Sequence, residues 1–259
     1  MNKKKILLYV AVILLVILIG FLFIKIFDFE NEPKKSDNGI PEVTLELVDQ
    51  LYSYLDIDNP NGIMTMYSNI YTTVNNLSYD VLEKMILNYT INYDTTNLEN
   101  LTSAELLQEN VEGTPLYKIK TAVFNTNLSK LFGNEAKLQF TDNFIFQENI
   151  RAILSNSGDY YYVYETNEIN NNSYKVFKKM DRYLVTDNNA TIKIYDYYLK
   201  CNIETNICYN DERNRYINNN VKYTEDLNLD NYINYLTTYE HTFKYDNGNY
   251  YWVSSNATN

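Results

Sequence analysis

Residues 241–254 read HTFKYDNGNYYWVS, and the Asn247-Gly248 pair at their centre favours the positive φ angles of a two-residue type I′ turn. Folding the stretch about that turn sets Tyr245 opposite Tyr250, Phe243 opposite Trp252 and His241 opposite Ser254, all on one face. The reading predicts a β-hairpin whose aromatic face, carried by Phe243 and Trp252, belongs to the core. Each such cross-strand pair contributes about 0.2–1 kcal/mol in addition to burial. The chain therefore closes in a sheet.

Upstream of the hairpin, Leu229, Tyr232, Ile233 and Leu236 fall in helical register. Before them, strand-like runs at 137–147, 159–165, 174–185 and 191–199 alternate with Asn/Ser/Gly/Asp turns, the spacing of an antiparallel meander. Tyr117, Ile119, Thr121 and Val123 alternate with Lys118 and Lys120, which predicts a half-buried strand. A short helix through Leu128 and Leu131 is expected to end at Gly133.

Further toward the N-terminus the apolar period becomes helical, and four segments are expected between residues 41 and 113. Leu47, Val48, Leu51 and Leu55 form the stripe of the first. A turn at residues 58–62, DNPNG, leads to a second with Ile63, Tyr67, Ile70, Tyr71 and Val74 on one face. Ser78 is placed to cap a third, with Asp80 in its first turn and Leu82, Met85, Ile86, Tyr89 and Tyr93 on its apolar side. Thr102 and Glu105 have capping-box spacing for a fourth, which stops near Gly113 and Pro115. The fold class that follows is α+β, a four-helix segment and then a mainly antiparallel, Tyr-rich sheet.

The first residues belong to a different solvent. Residues 6–24, ILLYVAVILLVILIGFLFI, carry no charge, and with Ile26 and Phe27 they are long enough for roughly 30 Å of bilayer hydrocarbon. A cleaved secretory signal has a shorter apolar core and a small-x-small exit, whereas Gly20 is the only small residue near this exit and Leu18 stands before it. An uncleaved anchor is the expectation. Lys3, Lys4 and Lys5 crowd the tail before it, which keeps that tail cytoplasmic while a long following domain translocates. The expected organisation is a tail at 1–5, a lipid-embedded anchor from Ile6 to Phe27, a stalk at 28–40, a helical part at 41–113 and a β-rich part at 114–259, the last three extracytoplasmic.

Net charge narrows the partners. The chain carries −11, and residues 1–27 contribute four lysines and no acid, so the exported part is more acidic than the whole. Such a surface repels phosphate backbones and anionic head groups, which argues against nucleic acid and peripheral lipid as ligands. Tyrosine is over-used, at 27 residues, while glycine (7) and proline (4) are scarce. Clusters at 160–162 and 250–252 make Tyr161 and Tyr251 candidates for stacking against a ligand such as a sugar, although strand tyrosines more commonly half-bury a ring and leave the hydroxyl wet.

Few residues offer chemistry. His241 is the sole histidine, which excludes a multi-His metal site; as a partner for Ser254 it lacks an identifiable carboxylate, and its other reading is a ligand or packing residue at the end of the aromatic face. Cys201 and Cys208 flank a short loop at the expected tip of a hairpin, where paired positions lie close enough for a disulfide. Their spacing is not the Cys-x-x-Cys of redox catalysis, and zinc would want more ligands. Asp56-Ile57-Asp58 resembles the start of a calcium loop, but Pro60 and Tyr67 occupy ligand positions. No phosphate-binding, dinucleotide or nucleophile-elbow motif is present, and none calls for a cofactor. The expected function is a binding or interaction module of the cell envelope, its partner an envelope protein or glycan; the competing expectation is an envelope hydrolase acting through carboxylates that sequence cannot single out.

Overall fold

The computed structural model describes residues 39–55, 66–67, 71–147, 149–167, 173–210 and 221–258. The expected tail, the anchor from Ile6 to Phe27, most of the stalk and the turn at 58–62 lie outside these residues. Among the described residues no helix is long and apolar enough to cross a membrane. The chain divides into Met1–Glu42 and Val43–Asn259, and the fold below is that of the second unit.

That unit is α+β, with mainly antiparallel strands in two sheets. The first sheet joins β1 (Thr72–Thr73), β11 (Asn249–Thr258), β10 (Thr238–Asp246), β8 (Thr191–Asn202) and β7 (Tyr174–Thr186) in that order, and β9 (Cys208–Tyr209) pairs with the far end of β8. The second joins β2 (Glu99–Asn100), β3 (Thr114–Lys120), β6 (Tyr160–Glu165), β5 (Ile150–Leu154) and β4 (Asn143–Ile145). The expected single meander is thus two sheets. Of the run at 137–147 only three residues pair, and β5, a short apolar run that the turn spacing conceals, inserts between β4 and β6.

Among the described residues four α-helices accompany them: α1 (Leu45–Tyr54), α2 (Tyr79–Tyr93), α3 (Ser103–Gln108) and α4 (Thr121–Phe132). Thr44 caps α1 by accepting from the Leu47 N–H at 3.2 Å, and Thr102 and Glu105 form the reciprocal capping box that starts α3. Every residue from 81 to 87 of α2 is buried. A helix covered on all sides must lie between layers rather than on a surface. Helix α4 shares this place, with Phe124 against Tyr161 of the second sheet at 4.7 Å and Phe132 edge-on to Trp252 of the first at 6.0 Å.

Several local expectations are corrected. The second helix is not formed at its described residues: Tyr67 lies in a bend, Thr72 and Thr73 pair with Ser255 and Ser254, and Val74–Asn76 is a 3-10 turn. Tertiary contacts override the helical spacing there, because Tyr67 stacks on Tyr198 at 4.3 Å and the Thr73 N–H is captured by Asn76 Oδ1 at 2.8 Å. The strand through Tyr117 and Ile119 ends at Lys120 rather than continuing to Val123. Thr121 gives its N–H to Asp159 O at 2.9 Å as the final rung, and Phe124, Leu128 and Leu131 then follow a helical face into the core. The helix expected at 229–236 is a 3-10 helix, Leu229–Tyr235.

The terminal hairpin forms with Tyr245 opposite Tyr250 and Phe243 opposite Trp252, around Asn247 and Gly248 at positive φ. A bulge between Thr242 and Phe243 shifts the outer register by one residue, so His241 faces Ser255 and Thr242 faces Ser254.

Candidate functional site

His241 is fully buried, and its ring finds the carboxylate that sequence could not assign. Nε2 lies 3.1 Å from Asp196 Oδ1, while Tyr67 and Tyr52 donate their hydroxyls to Asp196 Oδ2 at 2.6 and 3.0 Å. Asp196 is likewise fully buried, and the Tyr67 hydroxyl is pushed well above the usual phenol range, first by burial and then by the neighbouring charge. Nδ1 of His241 has no hydrogen-bond partner among the described residues. Among the described residues no serine completes a triad: Ser254 is opposite Thr242, and the Ser255 hydroxyl donates to Met66 O at 2.5 Å. A group with no exposed surface cannot meet a substrate, so this cluster ties β8, β10, α1 and residue 67 together. Asp196 was visible as the lone acid within the apolar run of residues 192–199; Tyr52 and Tyr67 carried no signal.

Tyr161 is also fully buried, and this removes it as a surface ligand contact. Its hydroxyl reaches Glu83 Oε1 and lies 2.7 Å from Thr141 O, while Glu83 accepts the Thr141 N–H at 2.8 Å and the Thr141 hydroxyl. Burial raises the Glu83 carboxyl above the usual range, and its hydrogen bonds offset part of that rise. Sequence reasoning missed Glu83, which sits in the fully buried turn of α2.

Tyr251 alone of the three candidates reaches a surface cavity. It lines a depression of about 360 Å3 between the last turns of α4 and the hairpin tip, with Thr126, Ser129, Lys130, Asn134, Asp246 and Asn249 around it. Gly133 lines it against the Tyr251 ring. A Cβ there would lie 2.9 Å from Tyr251 Cε2, and the backbone holds φ +80 with ψ 171, a combination essentially reserved for glycine. The absence of a side chain thus lets the tyrosine ring lie directly on the chain. Thr126 and Ser129 spend their hydroxyl protons on carbonyls of their own helix, Ala122 O at 3.1 Å and Asn125 O at 3.3 Å, which leaves lone pairs to accept from a ligand. Asn134, Asn247 and Asn249 are exposed amides that both donate and accept.

Cys201 and Cys208 are disulfide-bonded across the β8–β9 pair, as their spacing predicts. The bond is buried among Tyr197, Leu199, Val221 and Leu229. It is a structural staple. Among the described residues no group of three or more His, Cys, Asp or Glu side chains is placed to hold a metal ion. The fold is therefore two sheets about a helical layer, and Tyr251 borders a polar depression on its surface. No protein-family model, no curated protein and no solved structure matches the chain.

Proposed function

We propose that the protein is a saccharide-binding module of the cell envelope, held at the membrane by residues 6–27 with its folded unit outside. One observation carries this reading: the Tyr251 ring, seated on Gly133, borders a depression whose other walls are amides, hydroxyls and one charge of each sign. An aromatic face beside convergent hydrogen-bonding groups suits a sugar, which presents C–H on one side and hydroxyls at its rim. Lys130, the cation among the lining residues, is already paired with Asp94 at 3.9 Å, which on a chain that is otherwise acidic favours an uncharged ligand over an anionic one. The Cys201–Cys208 disulfide supports an oxidising compartment.

The hydrolase reading has less support. Glu83 is the acid whose pKa is raised among the described residues, as a general acid requires, yet it is enclosed and saturated by Thr141 and Tyr161. The test is titration of the full-length chain in detergent micelles with neutral N-acetylated hexosamine oligosaccharides, followed through Trp252, the sole tryptophan. Saturable binding by the wild type, weakened about tenfold in Tyr251→Ala and largely retained in Tyr251→Phe, is the expected result. Equal binding by wild type and Tyr251→Ala overturns the assignment.

A further inference from the structure

The depression at Tyr251 has a neighbour. A second cavity, about 540 Å3, is lined by Val74, Asn75, Ser78, Tyr79, Glu135 and Lys137, with Leu77 and Leu82 at its base. The two share a rim. Gly133 and Asn134 line the first, and Glu135 and Lys137 line the second, so consecutive residues of one segment divide them. Consecutive Cα atoms are about 3.8 Å apart, which places the two hollows side by side across a crest only a few residues wide. Ala136 anchors that crest, 8% exposed, with its N–H bonded to Gly133 O at 3.3 Å.

The second hollow repeats the chemistry of the first with different residues. Tyr79, 43% exposed at the start of α2, supplies a ring, Asn75 an amide, Ser78 a hydroxyl, and Glu135 and Lys137 a charge of each sign. Each cavity has a volume within the range of about 300–1,000 Å3 that holds a small-molecule ligand. A ring beside amide, hydroxyl and charged groups occurs widely on protein surfaces; the same kinds of group on both sides of one crest form a pattern that a ligand with a repeating unit would use. We infer that the two depressions are subsites for a single oligosaccharide chain that crosses the Gly133–Lys137 crest, with Tyr251 and Tyr79 as its two stacking platforms. The inference rests on the saccharide reading above and adds to it the length of the ligand and a second set of contacts.

The geometry predicts a dependence on chain length. A disaccharide fills one hollow, whereas a hexasaccharide spans both and gains a second ring contact without a second loss of rotational freedom. The experiment titrates the full-length protein with a chito-disaccharide and a chito-hexasaccharide, using Trp252 emission and, independently, calorimetry. Wild type is expected to bind the hexasaccharide about tenfold more tightly than the disaccharide. Tyr79→Ala is expected to bring the hexasaccharide down to the affinity of the disaccharide, and Tyr79→Phe to restore the difference. Tyr79 is half exposed and stands at a helix start, so its circular dichroism and thermal midpoint serve as the check on folding. Equal affinity for the two sugars in wild type, or a length preference that survives Tyr79→Ala, overturns the two-subsite arrangement while leaving the saccharide reading in place. Absence of binding by either sugar overturns both, and the two failures are thus distinguishable.

Discussion

Glu83 and Glu105 are pushed in opposite directions by their surroundings, and each leaves its own mark on stability. Glu83 is buried, and desolvation raises its pKa above the ordinary 4.5, so the folded state binds the proton more tightly than the unfolded state does. Its contribution is present below that ordinary value and is lost as pH rises through the raised one. Glu105 is lowered to about 2, first by the hydrogen bond from Lys118 and then by the Thr102 cap. The folded state favours its charge, so its contribution is present above 4.5 and is lost as pH falls toward 2. Urea midpoints measured across the acid range should therefore show Glu83→Gln flattening the fall on the higher-pH side and Glu105→Gln flattening the fall on the lower. Glu83→Ala, which takes the carboxylate acceptor from the half-buried Thr141 N–H and the buried Tyr161 hydroxyl, is expected to cost about 1–3 kcal/mol. A Glu83→Ala variant as stable as Glu83→Gln would show that the hydrogen bonds to Thr141 contribute nothing.

The disulfide is the sharpest test among the secondary-structure elements. It closes a loop with a sequence separation of 7 between Cys201 and Cys208, for which the chain-entropy model gives about 2.5 kcal/mol. For a domain of this size that corresponds to a thermal midpoint roughly 5–10 °C lower in Cys201→Ser than in wild type. Reductant should produce the same drop in wild type and none in the variant. The elements that were legible before the structure are those with a local cause. Asn247-Gly248 fixes the hairpin because the turn dictates its own register, and Thr102 with Glu105 fixes the start of α3 because the cap is made within one turn. The bulge at Thr242/Phe243 was not legible, since an extra residue changes pairing without changing the alternation on which the reading depends. The boundary at Lys120 was not legible either. Thr121 and Val123 are β-branched and in phase with Tyr117 and Ile119, and only the helical spacing of Phe124, Leu128 and Leu131 reverses that reading.

At the scale of the molecule, what the sequence hides is distance along the chain. β1 pairs with β11, and Glu83 on α2 is held by Thr141 and Tyr161, contacts that no window of local periodicity spans. The candidate site has the same origin. Tyr251 was legible as an aromatic in a strand, but Gly133, Thr126 and Asn134 join it only because α4 packs across β11, and Tyr79 joins the neighbouring hollow only because α2 begins beside the crest. The helical layer between two sheets thus creates the surface on which binding is proposed.

The carboxylate of Asp196 also has a consequence for how the molecule opens. It holds Tyr52 of α1, Tyr67 and His241 of β10 at one buried point, and Lys178 of β7 donates to Leu55 O just past the end of α1 at 2.8 Å. Helix α1 is short and solvent-facing along part of its length, the kind of element that ordinarily frays on its own. Here it cannot lift from the sheet without opening the buried Asp196 carboxyl group and the three side chains gathered on it, so its fluctuations are coupled to those of the strands beneath. Amide protons near the end of α1 should exchange with deuterium as slowly as those of β8, in one cooperative step. Asp196→Asn should release the helix to exchange early while β8 still resists; a helix that exchanges early in wild type would mean that α1 opens as a unit of its own.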